Sequence, residues 1–169
     1  MRISFDQHPS VIAGISERTD GSMIWGNKKP VDEIVKQNRD RFFQKQGVDP
    51  MRVVTGGVVH GQQVAIVDES MAGEYLLDTD ALITNSENLF LTITAADCMP
   101  VYFFDPVTKS IGIAHAGWRG LIGGILERVV ETMGDTYQSN PSDLLVQFGP
   151  HMHACHFEVG QEVAKQFSE

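Results

Sequence analysis

The chain has 169 residues, 42% of them hydrophobic, which suits one globular domain with a real core. Its net charge is −9 and no Lys/Arg cluster stands out, which argues against nucleic-acid binding through phosphate neutralisation. No apolar run approaches the ~18 residues of a membrane span, and the first ten residues carry no leader-like apolar segment, so the sequence reads as soluble and cytoplasmic.

Taken in order, residues 11–15 form a short apolar run expected to be a strand, and 17–29 a polar, Gly-containing loop. A helix follows, with Pro30 near its first turn, Asp32 and Glu33 at its positive end, Lys45 in its last turn and Gly47 just past it. Val31, Ile34, Val35, Phe42 and Phe43 give it an apolar face that Asn38 and Arg39 interrupt. Residues 51–59 and 63–67 are β-rich runs, so His60 falls at a strand end or turn. An acidic loop (68–80), a short strand (81–84), a turn (85–88) and another strand (89–95) lead to Asp97 and Cys98.

Residues 101–105 and 111–116 read as two strands of a hairpin joined by turn chemistry at 106–109. A helix over 121–133 places Leu121, Ile122, Ile125, Leu126, Val129, Val130 and Met133 on one stripe, with Glu127, Arg128 and Glu131 on the wet side. Residues 144–148 are the last clear strand, and 159–167 look like a final helix. No repeat or linker interrupts this order, which predicts a single α+β domain over residues 1–169.

Three residues carry the candidate chemistry: His60, Cys98 and His115. If the hairpin turn centres between Val107 and Thr108, Cys98 lies opposite Gly117, with His115 its diagonal neighbour on the same face. Diagonal Cα atoms in an antiparallel pair are roughly 7–8 Å apart, close enough for both side chains to share a metal. A one-residue slip would separate them onto opposite faces. Two imidazoles and a thiolate suit zinc with a fourth position open, and such a zinc brings the pKa of bound water to ~7. A lone His or Cys is more often a packed residue; three at strand ends shift the balance. The chain's only cysteines, Cys98 and Cys155, are too few for a disulfide framework.

The corner His115-Ala-Gly-Trp-Arg-Gly120 reads in two ways. Gly117, Gly120 and the helix start offer amide N–H groups and Arg119 a fork for phosphate or carboxylate. Alternatively it is a tight β-to-α corner with Trp118 in the core and Arg119 a surface charge. Arg52 is a further candidate for substrate contact. The cluster His151, His153, Cys155 and His156 suggests a second copper or zinc site, but its short spacing favours only Cys155 reaching a pocket, with His151 and His153 exposed. Asp78, Asp80, Asp97 and Glu158 are candidates for acid/base work or for supporting a ligating histidine.

These residues resemble the family formerly called polyphenol oxidase or multicopper laccase, also known as a peptidoglycan-editing factor and as purine nucleoside phosphorylase. The resemblance runs through Asn38-Arg39, Val59-His60-Gly61, Asp78-Thr-Asp-Ala-Leu82 with Thr84, Ala96-Asp-Cys-Met-Pro-Val101, His115-Ala-Gly-Trp-Arg-Gly120, and Gly149-Pro150 with Cys155, Phe157, Glu158 and Val159. It implies an α/β sandwich of mixed and antiparallel sheets with flanking helices, like the catalytic domain of cytotoxic necrotizing factor. It also implies zinc on His60, Cys98 and His115. The implied reactions are phosphorolysis of adenosine, inosine and methylthioadenosine, and hydrolytic deamination of adenosine. Purine nucleoside and phosphate would be the small-molecule partners; the oligomeric state stays open.

Three departures stand against it. Val58 occupies a position where the family has Gln; His156 and Phe157 replace Cys and Tyr; and family members continue past Glu169, so part of the core and pocket is expected to be missing. A true laccase is rejected, because a multicopper centre needs more imidazoles than six histidines supply. Two competitors remain. In one, a metal-free hydrolase uses His115 to activate a Cys98 thiolate against an amide. The other is an inactive, truncated family member.

Overall fold

The structure, a computed structural model, describes residues 1–3, 5, 8–25 and 32–167. Pro30 and Val31, expected in the first turn of the first helix, lie outside the described residues. Helix α1 is Glu33–Lys45, and Asp32 caps it: its Oδ1 accepts from the N–H groups of Ile34 (2.8 Å) and Val35 (3.4 Å). The chain leaves the helix through Gly47 at φ 77°. The inner face differs from the expected one. Ile34 is 68% exposed, whereas Val35 and Arg39 are buried. Starting the helix at the Asp32 cap aligns 35, 39, 42 and 43 on the inner stripe, so Arg39 belongs to that face rather than interrupting it.

Among the described residues the eight expected strands keep their order with shifted ends, and two more, the first and the fifth, join them: β1 (Arg2–Ile3), β2 (Ala13–Gly14), β3 (Val53–Gly56), β4 (Val64–Ile66), β5 (Tyr75–Leu76), β6 (Ala81–Thr84), β7 (Phe90–Ile93), β8 (Met99–Phe104), β9 (Ile111–Ala116) and β10 (Leu145–Phe148). Strand β5 lies inside the stretch expected to be an acidic loop. Strands β1 and β2 pair as a small antiparallel ribbon. A five-stranded sheet has the order β10-β8-β9-β6-β4, antiparallel except for the β6–β4 pair. A three-stranded sheet, β5-β3-β7, is wholly parallel.

This topology creates one functional end. The chain crosses from the parallel sheet to the larger sheet three times: after β3, after β5 and after β7. Because those strands are parallel, all three crossovers leave from the same edge, at the strands' carboxyl ends. They carry His60, Asp80 and Cys98 respectively.

The central strands of the larger sheet, β8, β9 and β6, are buried on both faces, while the edge strand β10 is exposed. Leu82, Tyr102, Phe104 and Ile113 pack towards Val54 of β3, with Phe5, Ala13 and Leu89. Ala81, Ile83, Val101, Phe103 and Ala114 pack on the other side against Ile125, Val129 and Met133. Those last three have no exposed surface, and burying side chains of this size contributes about 1.5–3 kcal/mol each.

The long helix expected at 121–133 is two helices, α2 (Trp118–Ile122) and α3 (Ile125–Tyr137). Gly124 at φ 79° breaks it, a conformation open to glycine, and Ile122 turns outward. A last helix, α4, covers Gln161–Gln166. The chain is thus a mixed α/β structure with two main sheets and few helices.

Candidate metal centre

The hairpin register decides whether Cys98 and His115 meet. Strands β8 and β9 pair Met99 with Ala116 and Pro100 with His115, so the next step sets Cys98 against Gly117, as the turn position predicted. The side-chain alternation puts Cys98, Pro100 and Tyr102 on the same face as His115 and Ile113, towards the parallel sheet. His60 arrives from the β3–β4 crossover at φ 63°, a left-handed conformation uncommon for a residue with a side chain. Its ring stands edge-on to that of His115, with centroids 4.8 Å apart. One ligand atom from each of His60, Cys98 and His115 lies within 4.8 Å of the others.

Asp80 organises this group from behind. It is fully buried at the end of the β5–β6 crossover, directly across from His115, whose N–H donates to the Asp80 carbonyl at 2.8 Å. Oδ1 accepts from His60 N–H (2.9 Å) and contacts His115 Nδ1 (2.9 Å), while Oδ2 accepts from the N–H groups of Val59 (3.1 Å) and Gly61 (2.9 Å). One carboxylate therefore fixes the backbone that holds His60 and the ring of His115, leaving Nε2 of His115 to face the cluster. Burial alone would raise the Asp80 pKa; the contact with His115 and the amides of Gly61 and Val59 outweigh it and hold the carboxyl below its ordinary value. The sequence singled out Asp80 only as one of four carboxylates. Its visible signal was the start of β6, which pairing with β9 places opposite His115.

The site fits a metal. The two nitrogens and one sulfur on a tetrahedral zinc stand about 3.3–3.6 Å apart at the usual bond lengths, so the observed spread needs a closure of about 1 Å. Space for an ion is kept open by Gly117. A Cβ there would sit 3.0 Å from His60 Cδ2, 3.4 Å from Cys98 Sγ and 3.5 Å from His115 Cε1. Cys98 is half-buried, and burial, with the charges of Asp97 and Asp80, pushes its thiol pKa up. An unassisted thiolate is disfavoured in that setting.

The other expected residues divide. Gly120 is buried and brings the corner against the His60 crossover: a Cβ there would lie 2.9 Å from the Gly61 carbonyl oxygen. Arg119 is exposed, its guanidinium 4.0 Å above the Trp118 ring. Arg52 is not brought to the cluster. It precedes β3, at the opposite end from His60, where Nε donates to the Asn88 carbonyl at 2.9 Å and a terminal nitrogen lies 3.5 Å from the Glu87 carbonyl. The segment 149–157 borders the site through Met152 N–H, which donates to the Asp97 carbonyl (2.9 Å). Its histidines and cysteine contact one another and do not join the ligand group: His151 stacks on His153 at 4.5 Å, and Cys155 Sγ contacts His156 Nδ1 at 3.0 Å. Cys155 is exposed rather than lining a pocket, and His151 is half-buried rather than exposed. Among the described residues, His60, Cys98 and His115 form the one group of three potential ligands.

A family model described as multi-copper polyphenol oxidoreductase laccase matches residues 13–169. The chain belongs to this family. Purine nucleoside phosphorylase YlmD of Bacillus subtilis (strain 168) is 32% identical over 158 residues, covering 89% of this chain and 57% of that protein. Purine nucleoside phosphorylase YfiH of Escherichia coli (strain K12) is 35% identical over 134 residues, covering 79% of this chain and 52% of that protein. Among solved structures, YlmD from Geobacillus stearothermophilus superposes with a TM-score of 0.80 at 30% identity, covering 87% of this chain and 57% of that one. The Bacillus licheniformis hypothetical protein YfiH gives a TM-score of 0.80 at 31% identity, covering 87% and 58%. The chain thus spans somewhat over half the length of these family members. No described helix is long and apolar enough to cross a membrane.

Proposed function

We propose that this chain is a catalytic domain of a zinc-dependent purine nucleoside phosphorylase, with a fold of the cytotoxic necrotizing factor catalytic type. Its substrates are adenosine, inosine or methylthioadenosine together with phosphate, and it has a second activity in hydrolytic deamination of adenosine. The observation that carries this reading is the convergence of His60, Cys98 and His115 on one side of Gly117, with Asp80 behind both histidines. The relatives' names supply the substrate class.

When bound there, zinc would supply a Lewis acid and lower the pKa of a coordinated water. Asp80 keeps His115 oriented so that Nε2 serves the ion, and the Asp80–amide bonds hold the strained His60 turn in place. Arg119, with no ion pair among the described residues, would grip phosphate beside the corner formed by Gly117 and Gly120. In phosphorolysis a phosphate oxygen forms a bond to the ribose C1′ as the bond to the base nitrogen breaks. The electron pair leaves with the base, which takes up a proton.

Zinc is preferred to copper because an oxidase of the multicopper type needs further imidazole clusters beyond this single ligand set. A metal-free cysteine hydrolase is disfavoured by the raised pKa of Cys98, which works against the thiolate nucleophile. Incubating zinc-loaded protein with adenosine should release adenine only when phosphate is present, and inosine without it. Absence of both products, or full activity in Cys98→Ala, would rule the reading out.

A further inference from the structure

Arg39 has no part in the metal centre, yet it is 3% exposed in the inner face of α1. One terminal nitrogen donates to the Met23 carbonyl (3.2 Å) and the other to Thr55 Oγ1 (3.0 Å), both neutral acceptors. The guanidinium carbon lies 4.7 Å from the Trp25 ring centroid and 5.5 Å from that of Phe43. Nε–H is buried without a hydrogen-bond partner, and among the described residues no carboxylate comes within ion-pair distance. Burial pulls its pKa down to about 10, so it stays charged at neutral pH. A buried cation held only by neutral acceptors and ring faces is incompletely compensated, because those contacts replace less than the hydration it has lost.

The same arginine lines a cavity of about 160 Å³ between α1, the parallel sheet and the larger sheet. Its walls are mainly apolar, among them Phe42, Phe43, Val53, Ile93, Tyr102 and Ile113. Its volume is close to the roughly 150 Å³ of an apolar cavity that takes up benzene. An apolar space of ring size, with a cation in its wall that no described carboxylate pairs, calls for one ligand chemistry.

We propose that this cavity is a binding site for a small apolar carboxylate of about the size of benzoate, its head group paired with Arg39 and its body in the apolar space. The site is separate from the metal ligands, although Thr94, Ala95 and Pro100 in its wall flank the segment that carries Cys98. The carboxylate would supply the missing counter-charge and accept from Nε–H, and the walls would discriminate against strongly hydrated anions.

Thermal melts of the whole chain test this, with benzoate as probe, benzyl alcohol as the uncharged match and inorganic phosphate as the anion without an apolar body. Benzoate at roughly 100-fold its Kd should raise the wild-type midpoint by about 5 °C, and the other two should leave it unmoved. Arg39→Met, similar in volume and uncharged, should abolish the benzoate response while melting no lower than wild type without ligand. In wild-type protein, nuclear Overhauser contacts should connect benzoate ring protons to Val53 and Ile93 methyl groups, a readout that stands even if the variant fails to fold. No shift and no such contacts, an equal response to benzyl alcohol, or a benzoate response that survives in Arg39→Met would each overturn the proposal. A folded Arg39→Met that melts several degrees below wild type would make Arg39 a purely structural cation and overturn it as well.

Discussion

Asp80→Asn is expected to abolish metal binding and to lower the melting temperature by about 10 °C. The substitution is nearly isosteric, so the effect comes from hydrogen-bond polarity. All four contacts to the Asp80 carboxylate come from N–H groups or the His115 ring: His60 N–H and His115 Nδ1 at Oδ1, Val59 and Gly61 N–H at Oδ2. An asparagine has only one acceptor oxygen. If its NH2 replaces Oδ2, it faces two N–H donors. If it replaces Oδ1, it faces His60 N–H and donates to His115 Nδ1, moving the ring proton to Nε2, where it blocks the ligand position.

Breaking a buried hydrogen-bonded charge in this way costs about 3–5 kcal/mol, which for a chain of this size corresponds to the stated shift. Acid should act in the same direction. Because the folded-state pKa of Asp80 lies below its unfolded value, the carboxylate contributes stability above about pH 4 and loses it as pH falls through the lower, folded value. Asp80→Asn should therefore flatten the acid limb of the stability curve. Circular-dichroism melts with metal analysis check both parts; a variant that melts like wild type and still holds zinc would show that Asp80 does not organise the site.

The second large effect is expected at Gly117. Its backbone, φ −76° and ψ 159°, is open to any residue, so Gly117→Ala adds no conformational strain. What it adds is a methyl group 3.0–3.5 Å from one atom of each of the three ligand side chains. That methyl occupies the space between the ligands and keeps the rings and the thiol from closing. Zinc affinity should fall at least tenfold, about 1.4 kcal/mol or more, while the metal-free protein stays folded. Competition titration with a chelating dye measures this. An unchanged zinc affinity would mean that the three side chains do not close on a common ion beside Gly117.

These two residues also show how much of the site could be read in advance. Cys98 and His115 were placed on one face because turn residues centred between Val107 and Thr108 fix an antiparallel register, and register is a local property. His60 joins them by its residue type and its place at a strand end, and the family resemblance implies zinc on all three. The reason for its approach is topological: three parallel strands send their crossovers off one edge, and strand order in a sheet is not written in local periodicity. Asp80 stands out no more than three other carboxylates in the sequence for the same reason, since its role depends on the β6–β9 pairing. Arg39 reads as an interruption of the apolar helix face because hydropathy alone assigns a charged residue to solvent, whereas the structure buries it. The split between α2 and α3 was legible in Gly123-Gly124, but the apolar stripe running through it concealed the break. Arg52 reads as a candidate for substrate contact, yet the Asn88 and Glu87 carbonyls of a turn away from the site hold it.

The account rests on His60, Cys98 and His115 holding one metal ion. Equilibrium dialysis against zinc followed by elemental analysis tests that most directly. The expected result is one zinc per wild-type chain and none at the same free zinc concentration in Cys98→Ala; equal zinc content in both proteins, or none in either, would contradict it.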